Sequence, residues 1–91
     1  MNITLQSQTI LLDLYEKIIR ENDFPLEFKI TIQEYSKEAG ITENTLKTCL
    51  WYLESRGYIN TKAIDYDSNG APTLKISLNA IAITFIEDSS L

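Results

Sequence analysis

The sequence holds few residues that could carry out a chemical reaction. It has no histidine for general-base work, and its single cysteine, Cys49, can form neither an internal disulfide nor a zinc site alone. Its three glycines form no phosphate-binding loop, and no nucleophile motif is recognisable. Residues 65–70 have acids at alternate positions, as calcium loops do, but Ile76 stands where such a loop needs a glutamate. We therefore expect no enzyme activity, no cofactor and no metal.

The side chains best suited to recognition lie in one predicted helix, which Thr42 caps and which runs to about Arg56. Helical spacing of 100° per residue gives this helix one apolar face, comprising Leu46, Cys49, Leu50 and Leu53. The other side carries Asn44, Thr48, Trp51 and Ser55, flanked by Lys47 and Tyr52. We therefore expect a buried structural thiol and an outer surface of amide, hydroxyl, ammonium and aromatic groups.

The segment before this helix predicts a strand and a shorter helix. Alternating apolar residues predict a strand over 27–32. Thr31 and Glu34 match a capping box for a second helix that runs to about Ala39. Gly40 stands where a left-handed helix cap favours glycine. The two helices and the glycine turn between them have the layout of a helix-turn-helix.

A first helix is predicted from Ser7 to Asn22, because apolar residues recur there at three- and four-residue spacing. Asp23 and Pro25 end it. Its apolar stripe is wider than one core face requires. The whole stripe could pack at the centre of a small domain, or part of it could form a dimer interface. Both interpretations remain open.

The segment after Gly57 predicts a hairpin and a closing helix. Strands are expected over about Tyr58–Tyr66 and Pro72–Ser77, with Asn69 and Gly70 both taking positive φ in the turn. Residues 78–87 have apolar side chains at helical spacing, which favours a helix, although alternation leaves a strand open. The expected fold class is α+β.

Length and charge limit the class of protein. Ninety-one residues make one domain, residues 1–91, with an ordered core over about 7–87. The net charge is −5: residues 29–62 carry +1, and the flanking segments carry −3 each. A DNA-binding domain usually has a basic footprint, so this balance counts against DNA. The lone cysteine, the lack of a signal peptide and the lack of a membrane span predict a cytoplasmic protein with no membrane partner.

Two motifs carry a resemblance to a known family. Residues 50–59, LWYLESRGYI, resemble the L-x-x-L-E-x-x-G-L-I pattern common in bacterial regulators. Residues 78–87, LNAIAITFIE, resemble a closing L-T-x-x-G-x-x-F-L-E helix, with Asn79 and Ala82 where that pattern has Thr and Gly. With the element order over about 7–87, the chain resembles winged helix-turn-helix domains, including small bacterial and phage proteins of the YjcQ type.

The resemblance implies a DNA-binding transcription regulator whose third helix enters the major groove. The groove-facing residues would be Asn44, Thr45, Lys47 and Thr48, with Trp51 and Tyr52 as further candidates. The phosphate contacts would be Lys62 and Lys75 on the wing and Lys37 on the second helix. The expected partners are DNA and a second copy of the chain, bound through the first and closing helices.

Trp51 and Tyr52 leave a rival interpretation open. Trp51 could be covered by the wing or the first helix, could bind a partner protein, or could contact DNA; Tyr52 is better suited to packing at the core edge. The acidic balance and the absence of a groove-facing arginine favour a protein-interaction module on the same scaffold. A phage-encoded inhibitor is a narrower form of that interpretation.

Overall fold

The computed structural model describes residues 2–20 and 27–89. Its elements are α1 (Ile3–Tyr15), a π-helical turn (Glu16–Arg20), β1 (Glu27–Thr31), α2 (Ile32–Ala39), α3 (Glu43–Ser55), β2 (Ile59–Tyr66), β3 (Pro72–Leu78) and α4 (Ala80–Ser89). The strands form an antiparallel sheet in the order β1-β3-β2. The predicted α+β class and the predicted order of elements are confirmed.

The first helix begins earlier than its apolar pattern indicates. The Asn2 side chain accepts a hydrogen bond from the Leu5 N–H (3.0 Å) and caps α1, which therefore begins at Ile3, four residues before the predicted start at Ser7. Regular α-helix ends at Tyr15 and continues as the π-helical turn to Arg20. The predicted end at Asn22, Asp23 and Pro25 lies outside the described residues.

The capping residues of α2 and α3 are confirmed. Thr31 Oγ1 accepts from the Glu34 N–H (3.2 Å), and Thr42 Oγ1 accepts from the Thr45 N–H (3.1 Å). Gly40 has a φ of 71°, a left-handed conformation in which a side chain would be strained. These local signals fix where α2 ends and α3 begins, and so they set the start of the candidate recognition surface.

The β2–β3 turn differs from the predicted one. Gly70 has a φ of 80°, but Asn69 does not have a positive φ. The Asp67 carboxylate instead accepts hydrogen bonds from the N–H groups of Asn69 (2.8 Å) and Ala71 (2.9 Å). These bonds stabilise a five-residue loop. A separate shift in strand register lies before the loop, between Ala63 and Asp65 in β2.

The closing segment is a helix, as favoured, and the strand alternative is wrong. Asn79, the residue before α4, is hydrogen-bonded to the connection between α3 and β2 and to β2 itself. Its backbone N–H donates to Tyr58 O (2.9 Å), and its side-chain amide donates to Gly57 O (2.9 Å). Its side-chain oxygen accepts from Asn60 Nδ2 (2.7 Å).

The core lies between α1, α3 and the inner face of the sheet. The predicted apolar face of α3 is confirmed, since Leu46, Cys49, Leu50 and Leu53 are all buried. The first helix packs at the centre of the domain, which was one of the two interpretations of its apolar stripe. Its buried apolar residues are Ile10, Leu11 and Leu14, and Ile18 in the π-helical turn is buried with them. Leu12 within the apolar stripe remains exposed, as does Leu5 in the turn before it, so part of the apolar surface of α1 is not buried in the core.

A polar cluster joins α1 to α2. The Tyr35 hydroxyl donates to an Asp13 carboxylate oxygen, and Lys17 pairs with Asp13 (3.6 Å) and Glu38 (3.2 Å). Burial and the hydrogen bond to Asp13 both raise the pKa of Tyr35. Burial alone would lower the pKa of Lys17, but its two carboxylate partners raise it above its ordinary value. The cluster therefore ties the two helices together with Tyr35 protonated and Lys17 charged.

Candidate functional site

The exposed face of α3 presents fewer free polar groups than its sequence indicates. Asn44, Lys47 and Thr48 are exposed, as predicted. The Thr48 hydroxyl donates to the Asn44 carbonyl within the helix (2.9 Å). Thr45 is half-buried, and its hydroxyl accepts from the capping Thr42 hydroxyl (2.9 Å). Asn44 and Lys47 are therefore the side chains of this group best placed to reach a partner.

Trp51 is 67% exposed, so the alternative in which the wing or the first helix covers it is wrong. It lies at the edge of a groove of about 300 Å³ between α3 and the β2–β3 hairpin, which we call the Trp51 groove. The groove is lined by Ile32, Lys47, Leu50, Trp51, Glu54, Thr61, Pro72 and Leu74. An exposed indole beside aliphatic side chains is a surface suited to an apolar partner.

Glu54 fixes the hairpin against α3. One of its carboxylate oxygens accepts from both the backbone N–H (2.9 Å) and the hydroxyl (2.6 Å) of Thr61. These charge-assisted bonds join the last turn of α3 to the start of β2. The shape of the Trp51 groove therefore depends on the Glu54 carboxylate, for which the sequence pattern predicted no structural role.

The surface beside Lys47 is acidic. A second cavity of about 400 Å³ separates the starts of α2 and α3 from the hairpin turn. Lys47 lines it together with the carboxylates of Glu34, Glu43 and Asp67. A phosphate placed there would meet more negative than positive charge, which weakens the attraction that phosphate contacts provide.

The two hairpin lysines lie on the other face of the sheet. Thr61 and Leu74 line the Trp51 groove, and because side chains alternate along a strand, Lys62 and Lys75 point away from α3. The strand register places Lys29 beside Lys75, and Lys75 beside Lys62, in one row across three strands. Lys75 also pairs with Glu27 (3.1 Å). Lys62 and Lys75 therefore do not share a surface with α3, and their predicted role as phosphate contacts of the wing stays a prediction.

Lys37 is exposed in the last turn of α2. A cation at this position interacts favourably with the partial negative charge at a helix C-terminus. The structure does not bring it into either of the cavities beside Lys47. Its predicted phosphate contact stays a prediction, and helix stabilisation already accounts for a lysine here.

Trp51 and Tyr52 do not form one surface. Tyr52 is half-buried at the core edge and lines a separate cavity of about 180 Å³ between α1, the end of α3 and α4. Ser7, buried and without a hydrogen bond, lies in the wall of that cavity, which we call the Ser7 cavity. Sequence reasoning missed Ser7 because a single serine at helical spacing looks like any small core residue.

Comparison with known proteins assigns the chain to no group. No protein-family model matches it, and no significant match is found among the curated proteins. In the part of the chain that the structure describes, no helix is long and apolar enough to cross a membrane. Within that same part, no three histidine, cysteine, aspartate or glutamate residues are placed to hold a metal ion.

Proposed function

We propose that this chain is a winged-helix DNA-binding protein that regulates transcription, with α3 as its recognition helix. The element order and the antiparallel hairpin after α3 support the winged-helix assignment by analogy. The observation that carries the proposal is the exposed pair of Asn44 and Lys47 at the start of α3. An asparagine can bind adenine through two hydrogen bonds, and a lysine can reach guanine.

The charges around α3 predict weak binding by one copy of the chain. Glu34, Glu43 and Asp67 lie around the cavity that Lys47 lines, and the lysine row faces away from it. Few phosphates are then neutralised, so sequence-independent affinity is low. Useful affinity requires base contacts at two half-sites.

Selection from source DNA tests this function. Tagged protein is mixed with sheared genomic DNA from its source at low salt, where phosphate contacts are strongest, and the retained fragments are sequenced. We expect sharp enrichment of a few sites with two-fold symmetry. Flat recovery across the genome at low salt would contradict the proposal.

We propose a homodimer formed through α1 and α4. Leu5 and Leu12 lie on one face of α1, seven residues apart, and both are exposed. Ile81 and Phe85, four residues apart on α4, are exposed as well. A two-fold axis through these helices would place two copies of α3 at half-sites about one DNA turn apart.

Charge placed on this surface should separate the two copies. We expect the double variant Leu12→Glu with Ile81→Glu to elute as a monomer in size-exclusion chromatography with light scattering, while the native chain elutes at twice its own mass. Ile64→Glu is the matched control, because Ile64 is an exposed apolar residue on the hairpin. A native chain that elutes as a monomer at every concentration tested would contradict the dimer.

A protein-interaction module is the second candidate function, and the Trp51 groove favours it. Trp51 is a large aromatic side chain beside aliphatic groups, and such residues often supply much of the binding energy at protein interfaces. The carboxylates near Lys47 would not repel a neutral or basic partner protein as they would repel a phosphate.

Trp51→Ala separates the two candidates. If the groove binds a protein, we expect a partner captured by the native chain to be lost, at a cost of about 2 kcal/mol or more in binding. Tyr66→Ala is a control, since Tyr66 is also a large exposed aromatic residue but lies at the end of β2. Equal loss in both variants, or empty pull-downs with the native chain, would count against the groove.

A further inference from the structure

Ser7 is an exception among the buried hydroxyls of the described helices. Serine and threonine within a helix commonly donate to a carbonyl of the preceding turn. Thr9 does so to Leu5 (3.2 Å), Ser36 to Gln33 (2.9 Å) and Thr48 to Asn44 (2.9 Å). Ser7 is fully buried, and among the buried side-chain polar atoms of the described residues only its Oγ has no hydrogen-bond partner. A buried hydroxyl in this state is costly unless something supplies the missing bond.

The Ser7 cavity offers room for a ligand that could supply that bond. Its volume of about 180 Å³ is below the range of about 300–1,000 Å³ typical of drug-sized ligands, so only a small molecule fits. Aromatic rings form much of its wall: Tyr58 and Phe85 have ring centroids 5.4 Å apart, and Tyr52 lies nearby. Such walls suit a flat apolar group.

Arg56 gives the cavity its charge. Among the described residues that line the cavity, only Arg56 has an ionised side chain, and its guanidinium is a fixed planar fork of donors. Planar carboxylates match that fork through two parallel hydrogen bonds. The cavity is therefore locally positive in a chain whose net charge is −5.

We propose that the Ser7 cavity binds a small aromatic carboxylate. Arg56 binds the carboxylate, the rings of Tyr52, Tyr58 and Phe85 pack against the aromatic group, and Ser7 donates the hydrogen bond that it does not make within α1. The site lies on the side of α3 away from the Trp51 groove and does not depend on whether α3 binds DNA. Because Tyr52 lies in the last turn of α3 and Arg56 is its C-cap residue, an occupied cavity also fixes the end of that helix.

Titration with sodium benzoate, followed by amide chemical shifts in NMR spectra of the full chain, tests the site. We expect saturable shifts centred on Ser7, Tyr52 and Phe85, with a Kd on the order of 1 mM for so small a ligand. Benzamide, which has the same shape without the charge, is expected to bind at least about tenfold more weakly. Equal binding of benzamide, or no saturable shift with benzoate, would overturn the proposal.

Variants locate the ligand within the cavity. Arg56→Gln is expected to weaken benzoate binding about tenfold or more, and Arg56→Lys less, because lysine keeps the charge but not the planar fork. Ser7→Ala is expected to weaken binding about fivefold while raising the Tm of the free chain, since the unpaired hydroxyl is removed. Lys47→Gln, a change to a cation outside the cavity, should leave Kd unchanged. Unaltered binding in both Arg56→Gln and Ser7→Ala would overturn the site.

Discussion

Replacing Asn44 and Lys47 together by alanine is expected to lower affinity for the selected DNA site by at least about thirtyfold. In the proposed binding mode each side chain makes a base contact, and such contacts each contribute about 1–3 kcal/mol of discrimination. Both side chains are exposed on α3, so the double variant should keep its circular dichroism spectrum and its Tm. Fluorescence anisotropy with the selected site and with a scrambled site measures the two affinities.

The lysine row provides the control for this experiment. Lys29→Ala with Lys62→Ala removes two charges from the sheet face that points away from α3. We expect only a small loss of affinity, equal for the selected and scrambled sites, because charge alone carries no sequence information. A larger loss of affinity in this control than in the α3 variant would indicate that DNA binds to the outer face of the sheet. Unchanged DNA affinity in the α3 variant would contradict the proposal that α3 is the recognition helix.

Leu46→Ala is expected to lower the free energy of unfolding by about 3 kcal/mol. Leu46 is fully buried within the core cluster, and truncating such a leucine costs about 2–5 kcal/mol through lost burial and the cavity left behind. Domains of this kind are stable by roughly 5–15 kcal/mol, so the loss is a large fraction of the total. Urea denaturation followed by circular dichroism gives the value.

The neighbouring residue serves as the control for Leu46. Lys47→Ala changes the next position on the same helix, but its side chain is exposed, so we expect a change within about 0.5 kcal/mol. This pair separates the role of α3 in the core from its role at the surface. A loss below about 1 kcal/mol for Leu46→Ala would contradict the central position of α3 in the core.

Local signals predicted most of the elements correctly, because each depends on residues close in sequence. Thr31 and Thr42 are capping residues, and Gly40 and Gly57 have positive φ, since these interactions span only a few residues. Two predictions were wrong because local hydrogen bonds of asparagine and aspartate side chains changed a helix start and a turn. The Asn2 cap extends α1 beyond its apolar stripe, and the Asp67 carboxylate replaces the predicted turn at Asn69.

The candidate site was predicted less completely, because its geometry depends on distant residues. The pattern of α3 correctly predicted that Asn44 and Lys47 are exposed, but it left open whether Trp51 is covered. It could not show that Lys62 and Lys75 face away from α3, since that depends on the pairing of three strands and on which sheet face packs against the helix. It also could not separate Trp51 from Tyr52 into different cavities.

The sequence by itself determined the order and type of the elements, the buried face of α3 and the acidic charge of the whole chain. Periodicity and capping chemistry are local properties, so they can be read from neighbouring residues. Only the tertiary structure decided where charge and open space lie. It placed three carboxylates around Lys47, gathered the lysine row on the opposite face of the sheet and left the Ser7 hydroxyl unpaired beside Arg56. These arrangements join residues far apart in the chain, and the packing of α1, α3 and the sheet sets their distances.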